Sequence, residues 1–191
     1  HEDCPNRERL ELIGKCNDRI EKIVNHLREF SRQTKTDFQE IDIKQPIENA
    51  LMLTGQQLLN HKLTITRKLS ETLPKIKGDT NQLEQVFLNL ISNARDAMEN
   101  GGVLSITTAH EHNGWVLIRF ADTGCGISEE IRDKVFEPLF TTKEEGKGTG
   151  LGLSICRDIV ESLGGHIEIQ SERGKGTTFT IHLPCAAPLA E

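Results

Sequence analysis

Asn89, Asn93 and Asp96 stand at positions i, i+4 and i+7 of a largely apolar run, "VFLNLISNARDA", so a helix there would carry all three polar side chains on one stripe. Amides on an apolar helix are costly to bury unless something answers their hydrogen-bonding groups. Oxygen donors at that spacing suit a hydrated Mg²⁺ and the phosphates that accompany it. A second cluster, "ADTGCGI", sets the carboxylate of Asp122 at a strand end, just before Gly124 and Gly126. That is either a turn held by an Asx cap or a buried acceptor for an exocyclic amine, with glycines that let a flat ring approach the backbone. A third cluster, "GKGTGLGLS", has glycine at every second position from Gly146 to Gly152 and then enters a helical pattern. Glycine costs about 0.5–1 kcal/mol relative to alanine in regular structure. A mobile loop from Glu137 to Thr149 would deliver unpaired backbone N–H groups to a helix N-terminus, and both the amides and the dipole favour an anion there. The common phosphate signatures do not fit. Residue 141 is Thr where Gly-x-x-x-x-Gly-Lys needs glycine, and Leu153 stands where Gly-x-Gly-x-x-Gly needs its third.

The elements that must position these clusters are legible in outline. "FQEIDI" alternates like a short strand, and "KQPIENALMLTGQQLLN" reads as a helix with Pro46 near its first turn. "KLTITRKL" is a strand pattern. "TNQLEQVFLNLISNARDAMEN" is a long helix with Gly101-Gly102 as its expected cap. "VLSITTAHEHNGWVLIRFAD" reads as a hairpin turning at Asn113-Gly114. A short helix around "SEEIRDKVF" precedes the glycine loop, "LSICRDIVESL" is a helix ending at Gly164-Gly165, and "HIEIQSE" and "GTTFTIHL" are closing strands. The order β-α-β-α-β-β-α-α-β-β predicts an α+β two-layer sandwich with helices on one face of a mostly antiparallel sheet. Ahead of it, Ile13, Cys16, Ile20, Ile23, Leu27 and Phe30 keep an a/d seam on a helix among charged neighbours, followed by a polar break from Ser31 to Glu40. Such a seam suits either a helix lying on its own domain or one that pairs with a partner, and its narrow period and place before the break favour pairing.

Composition narrows the classes. A chain of 191 residues, 36% hydrophobic and 27% charged, can bury one sizeable core and carry one appendage. A net charge of −6 argues against a nucleic-acid surface. The sequence holds no run of about 18 apolar residues that would span a membrane, and its polar opening is unlike a secretory signal. Cys4, Cys16, Cys125, Cys156 and Cys185 are widely spaced without a Cys-x-x-Cys, which predicts reduced thiols in a cytosolic setting.

In this order, "NLISNARDA", "DTGCGI", "FEPLFTTK", "GKGTGLGL" and "GKGTTF" resemble the N box, first glycine box, F box, second glycine box and last glycine–threonine turn of sensor histidine kinase catalytic domains. Those domains share a superfamily with DNA gyrase, Hsp90 and MutL. The resemblance covers Phe38 to Pro184, and "NARDAM" is similar to the nitrogen-regulation branch. "RIEKIVNHLREFSR" resembles the second helix of the dimerisation and histidine phosphotransfer hairpin. The implied division is residues 1–36 as that partial hairpin and residues 37–191 as the catalytic ATP-binding domain, on a histidine kinase/Hsp90-like fold.

The resemblance also implies roles. Asp122, helped by Thr177, would accept from the adenine amino group, in a pocket with Gly124, Gly126, Ile127 and Ala97. Asn93 and Asn89 would hold Mg²⁺, with Asp96 near phosphates or metal-bound water. Gly148, Thr149, Gly150, Leu151, Gly152 and Leu153 would wrap the phosphates of ATP, Phe136 and Phe140 would anchor the lid, and Lys143 or Lys147 would reach the γ-phosphate. Hydrolysing members carry a glutamate where this chain has Asn89, and an amide cannot take a proton from water. That favours a kinase, with Asn89 and Lys143 as its catalytic pair, over a gyrase- or chaperone-like ATPase. The seam disfavours an anti-sigma-type serine kinase. The acceptor histidine is expected on a first hairpin helix, with His1 and His26 as bystanders. Implied partners are a second copy through the hairpin helix and a response regulator receiver domain, with no nucleic acid and no membrane contact in this segment. The implied location is the cytoplasm, with the parent protein free to carry a membrane anchor.

Overall fold

The computed structural model describes Gly14 and residues 38–111, 113–144 and 148–186. The seam helix, His1, His26, Cys4, Cys16, Gly146 and Lys147 lie outside them.

Two layers form. The helical layer is built on α1 (Lys44–Asn60) and α2 (Thr80–Ala97). α1 buries Pro46, Ile47, Ala50, Thr54 and Leu58, and α2 buries Leu83, Val86, Phe87, Leu90, Ile91 and Ala94, each set forming one face of its helix. Asp79 caps α2, its Oδ1 accepting from the Asn81 N–H at 2.8 Å. α3 (Glu129–Arg132) continues as a single 3₁₀ turn through Phe136, and α4 (Gly152–Ser162) packs beside α2. α4 ends in a Schellman motif: Gly165 N–H reaches Val160 C=O and Gly164 N–H reaches Glu161 C=O, both at 2.9 Å.

The sheet runs β2 (Leu63–Lys68), β4 (Gly102–Glu111), β5 (Trp115–Asp122), β7 (Gly176–Pro184), β6 (His166–Glu172). Only β2 and β4 are parallel; every other neighbour is antiparallel. Alternation sets the faces. Ile106, Ile118, Phe120, Phe179 and Ile181 turn toward the helices and are buried, and Phe120 stacks on Phe87 of α2 with ring centroids 5.4 Å apart. The expected sandwich is therefore present.

Two details differ from expectation. β1 (Gln39–Ile41) pairs with a strand the pattern did not show, β3 (Ile76–Gly78), inside "ETLPKIKGD". Three residues with one buried isoleucine are too short to display a period. α2 also stops at Ala97 instead of running to Gly101, because the Cys125 N–H takes the Ala97 carbonyl at 3.0 Å and Met98 turns into the core.

Candidate functional site

Asp122 ends β5 facing the helices, opposite Thr177 of β7. Its Oδ1 accepts from the Gly124 N–H at 2.8 Å and the Thr177 N–H at 3.3 Å, so the Asx-type turn is real; Oδ2 receives neither bond. Burial pushes its carboxyl above the usual 3.8, and the two backbone N–H groups only partly offset this. The hydroxyls of Thr177 and Ser171 lie 2.9 Å apart, and Ser171 Oγ also accepts from the Ile127 N–H at 2.8 Å. An open cleft of about 400 Å³ runs beside Asp122, Thr177, Ser171, Ile169 and Arg132.

The glycines after Asp122 serve packing first. A Cβ on Gly124 would strike Ala97 at the end of α2, and one on Gly126, at φ +67°, would strike the Glu172 carbonyl. Both glycines are therefore needed for the close packing of this loop against the end of α2 and the β6–β7 turn.

The stripe on α2 meets the lid. Asn89 Nδ2 donates to the Gly152 carbonyl at 3.3 Å, tying the stripe to the first turn of α4. Lys143 Nζ lies 2.5 Å from Asp96 Oδ2 and 3.4 Å from Asn93 Oδ1. Arg95 donates to Asp96 Oδ1 from Nε at 2.9 Å. Burial alone would raise the Asp96 carboxyl, but the hydrogen bonds and charges of Lys143 and Arg95 outweigh it and hold it below the usual value. An ammonium therefore sits between the oxygens expected to face a cation. α4 begins without a side-chain cap, which leaves its first N–H groups for another acceptor. Gly150, at φ +69°, lies against the backbone of Leu139, so the glycine run and the F-box segment touch. Phe136 is buried edge-on to Phe179, and Phe140 packs against the core.

The structure thus joins Asn89 to Gly152, and Asn93 and Asp96 to Lys143, while Asp122 meets Thr177 and Ile127 is tied to Thr177 through Ser171. The cleft itself does not extend to Asn89, Asn93 or Asp96. Lys147 lies outside the described residues. Ser171 and Arg95 were not expected. Ser171 had a signal, a hydroxyl at the inward position of the Ile167–Ile169–Ser171 alternation. Arg95, which also bonds Ser92 Oγ at 3.0 Å, had none.

A family model described as "Histidine kinase-, DNA gyrase B-, and HSP90-like ATPase" matches residues 78–187. The chain is 38% identical over 187 residues to the two-component sensor PprA of Pseudomonas aeruginosa, covering 95% of this chain and 20% of that protein. It is 39% identical over 174 residues to the sensor histidine kinase ZraS of Escherichia coli strain K12, covering 91% and 37%. It therefore spans well under half the length of these curated relatives. Among solved structures, the nucleotide-free catalytic domain of histidine kinase ThkA superposes with a TM-score of 0.69 at 30% identity, covering 78% of this chain and 96% of that one. Histidine kinase ThkA in complex with response regulator protein TrrA gives a TM-score of 0.74 at 27% identity, covering 100% of this chain and 54% of that one. Among the described residues, no helix is long and apolar enough to cross a membrane.

Proposed function

The chain belongs to the histidine kinase-, DNA gyrase B- and HSP90-like ATPase family, and we propose on that footing that it is the ATP-binding, phosphoryl-donating part of a sensor histidine kinase. The observation that carries the reading is the pairing of a buried Asp122, its Oδ2 free of the two backbone bonds, with a polar stripe on α2 that already holds a cation. Asp122 and Thr177 would hold the adenine edge. The N–H groups at the start of α4 and the glycine run from Gly148 to Gly152 would take the phosphates.

The donor set fits Mg²⁺, since Lys143 Nζ lies between Asn93 Oδ1 and Asp96 Oδ2 as a cation would. Asn93, with Asn89 and Asp96 nearby, would hold it, and bound there it would neutralise phosphate charge. Lys143 must then leave the stripe, which frees it to follow the γ-phosphate as the lid closes. Asn89 offers an amide where water activation would need a carboxylate, and that amide already binds Gly152. Transfer rather than hydrolysis follows. The γ-phosphoryl leaves the ADP oxygen and forms a bond to an imidazole nitrogen presented in line, and positioning supplies most of the rate.

The acceptor imidazole would lie on a hairpin whose second helix is residues 1–36, paired with a second copy, and the phosphoryl would pass on to a response regulator aspartate. The complex of ThkA with TrrA supports a partner of that kind. The chain should bind ATP yet label itself weakly with γ-labelled ATP, and a supplied histidine-bearing hairpin fragment should acquire acid-labile phosphate. Rapid phosphate release without such labelling would overturn the kinase reading in favour of an ATPase.

A further inference from the structure

We propose that His166, Glu168 and His182 form a binding site for a divalent transition metal of the zinc class on the sheet face turned away from the helices. His166 of β6 and His182 of β7 are direct cross-strand partners, and Glu168 lies two residues along β6 on the same face. Strand pairing thus fixes three donor side chains as a triangle without help from any loop.

The distances suit an ion better than they suit hydrogen bonds. Glu168 Oε1 stands 3.7 Å from His166 Nε2, and Oε2 stands 3.7 Å from His182 Nε2. Both exceed hydrogen-bonding range. Ligands bound to tetrahedral zinc at about 2.0–2.2 Å lie about 3.4 Å from one another, so a closing motion that tilts the two stacked rings toward a common point brings the triangle to coordination distance. All three ligand atoms already fall within 4.8 Å of one another.

His182 Nε2 is buried and has no hydrogen-bond partner among the described residues, although buried imidazole nitrogens are ordinarily satisfied. The two imidazoles stack with centroids 4.2 Å apart and planes 10° from parallel, and each Nε2 lies 3.7 Å from an oxygen of the one carboxylate. Trp115 packs edge-on against His166 at 5.6 Å and steadies that ring. Two neutral imidazoles and a carboxylate prefer zinc, nickel, cobalt or copper to magnesium. Three protein ligands leave a position for solvent. The site is separate from the Asp122–Thr177 cleft: His182 and Thr177 are five residues apart on β7, about 17 Å along the strand. A bound ion would cross-link β6 to β7, the two strands that carry Ser171 and Thr177.

Trp115 is the chain's single tryptophan, so its emission reports this corner; Cys185, whose N–H bonds Gly114 at 2.9 Å, lies in the same corner, and variants of the triangle separate the two. Titrating nickel(II) into the nucleotide-free chain should quench that emission saturably. Zinc(II) should reverse the quench by competition, and magnesium(II) at the same concentration should not. Glu168→Gln and His166→Gln change exposed side chains, and each should weaken nickel binding by about tenfold or more while leaving circular dichroism and ATP affinity unchanged. Quenching that fails to saturate, or that keeps its midpoint in the Glu168→Gln, His166→Gln double variant, overturns the site. ATP titration of the same samples tests the nucleotide reading separately.

Discussion

Asp122 carries a conflict between stability and binding. Burial raises its pKa, so the folded chain favours the protonated acid more than the unfolded chain does. For an acid raised on folding, the stabilising contribution is present below the unfolded value near 3.8 and is lost as pH rises through the folded value. A carboxylate there therefore costs stability, and under the proposed reading it is the acceptor that nucleotide needs. Asp122→Asn keeps an oxygen for the Gly124 and Thr177 N–H groups but turns an amide donor toward the cleft. The variant should be more stable than wild type at pH 7, with the two melting temperatures converging on acidification. It should also lose ATP affinity by about ten- to hundredfold, as expected when a charge-assisted bond worth about 1.5–3 kcal/mol disappears. Unchanged affinity in calorimetry would remove Asp122 from the adenine site. Asp96 has the opposite sign. Its lowered pKa gives stability above 3.8 that is lost as pH falls through the folded value, and Lys143→Ala should diminish that acid-side loss. Asn93→Ala should abolish the Mg²⁺-dependent part of ATP affinity and leave adenosine binding nearly unchanged. A preserved Mg²⁺ response would make the stripe structural.

At the scale of elements, the lid and α2 invite separate tests. Gly150 has positive φ against the Leu139 backbone, so Gly150→Ala meets both a strained conformation, about 1–2 kcal/mol, and a backbone clash. ATP affinity should fall while the melting temperature moves little, because the strain lies in the lid and not in the core. A large drop in melting temperature would instead show the lid to be part of the folding unit. Asp79→Ala removes the α2 cap and should cost about 0.5–2 kcal/mol without altering nucleotide contacts. The elements were legible where a face is half-buried for several turns or strand residues. α2 and β7 announce themselves, and so does the polar stripe that interrupts α2. β3 was hidden by its length, and the early end of α2 by a tertiary bond from Cys125. The spacing of Asn89, Asn93 and Asp96 put three polar side chains on one stripe but could not show Lys143 against it, because that contact spans 47 residues of chain. Likewise "DTGCGI" announced a tight turn after Asp122, but which neighbour each glycine accommodates depends on α2 and β6.

For the whole molecule, one core serves both layers, and Phe87 with Phe120 is its seam. Phe87 is fully buried, so Phe87→Ala should cost about 3–5 kcal/mol and lower the melting temperature and ATP affinity together. Separate transitions for the two would mean that the nucleotide elements melt apart from the core. β7 sits between β5 and β6 although it is the last strand described, and it supplies Thr177 to an aspartate 55 residues earlier. On the ribosome, β5 emerges first with one edge bare, at about 5–20 residues per second. Until β7 clears the exit tunnel, the sheet is unclosed and Asp122 lacks the Thr177 N–H. Nascent chains arrested just after residue 172 should be protease-sensitive and pass through an ATP resin, whereas chains extended far enough to free residue 184 should be retained. Nucleotide then becomes a sensor of completed synthesis for this segment, able to protect only chains whose last sheet strand has already threaded into the middle.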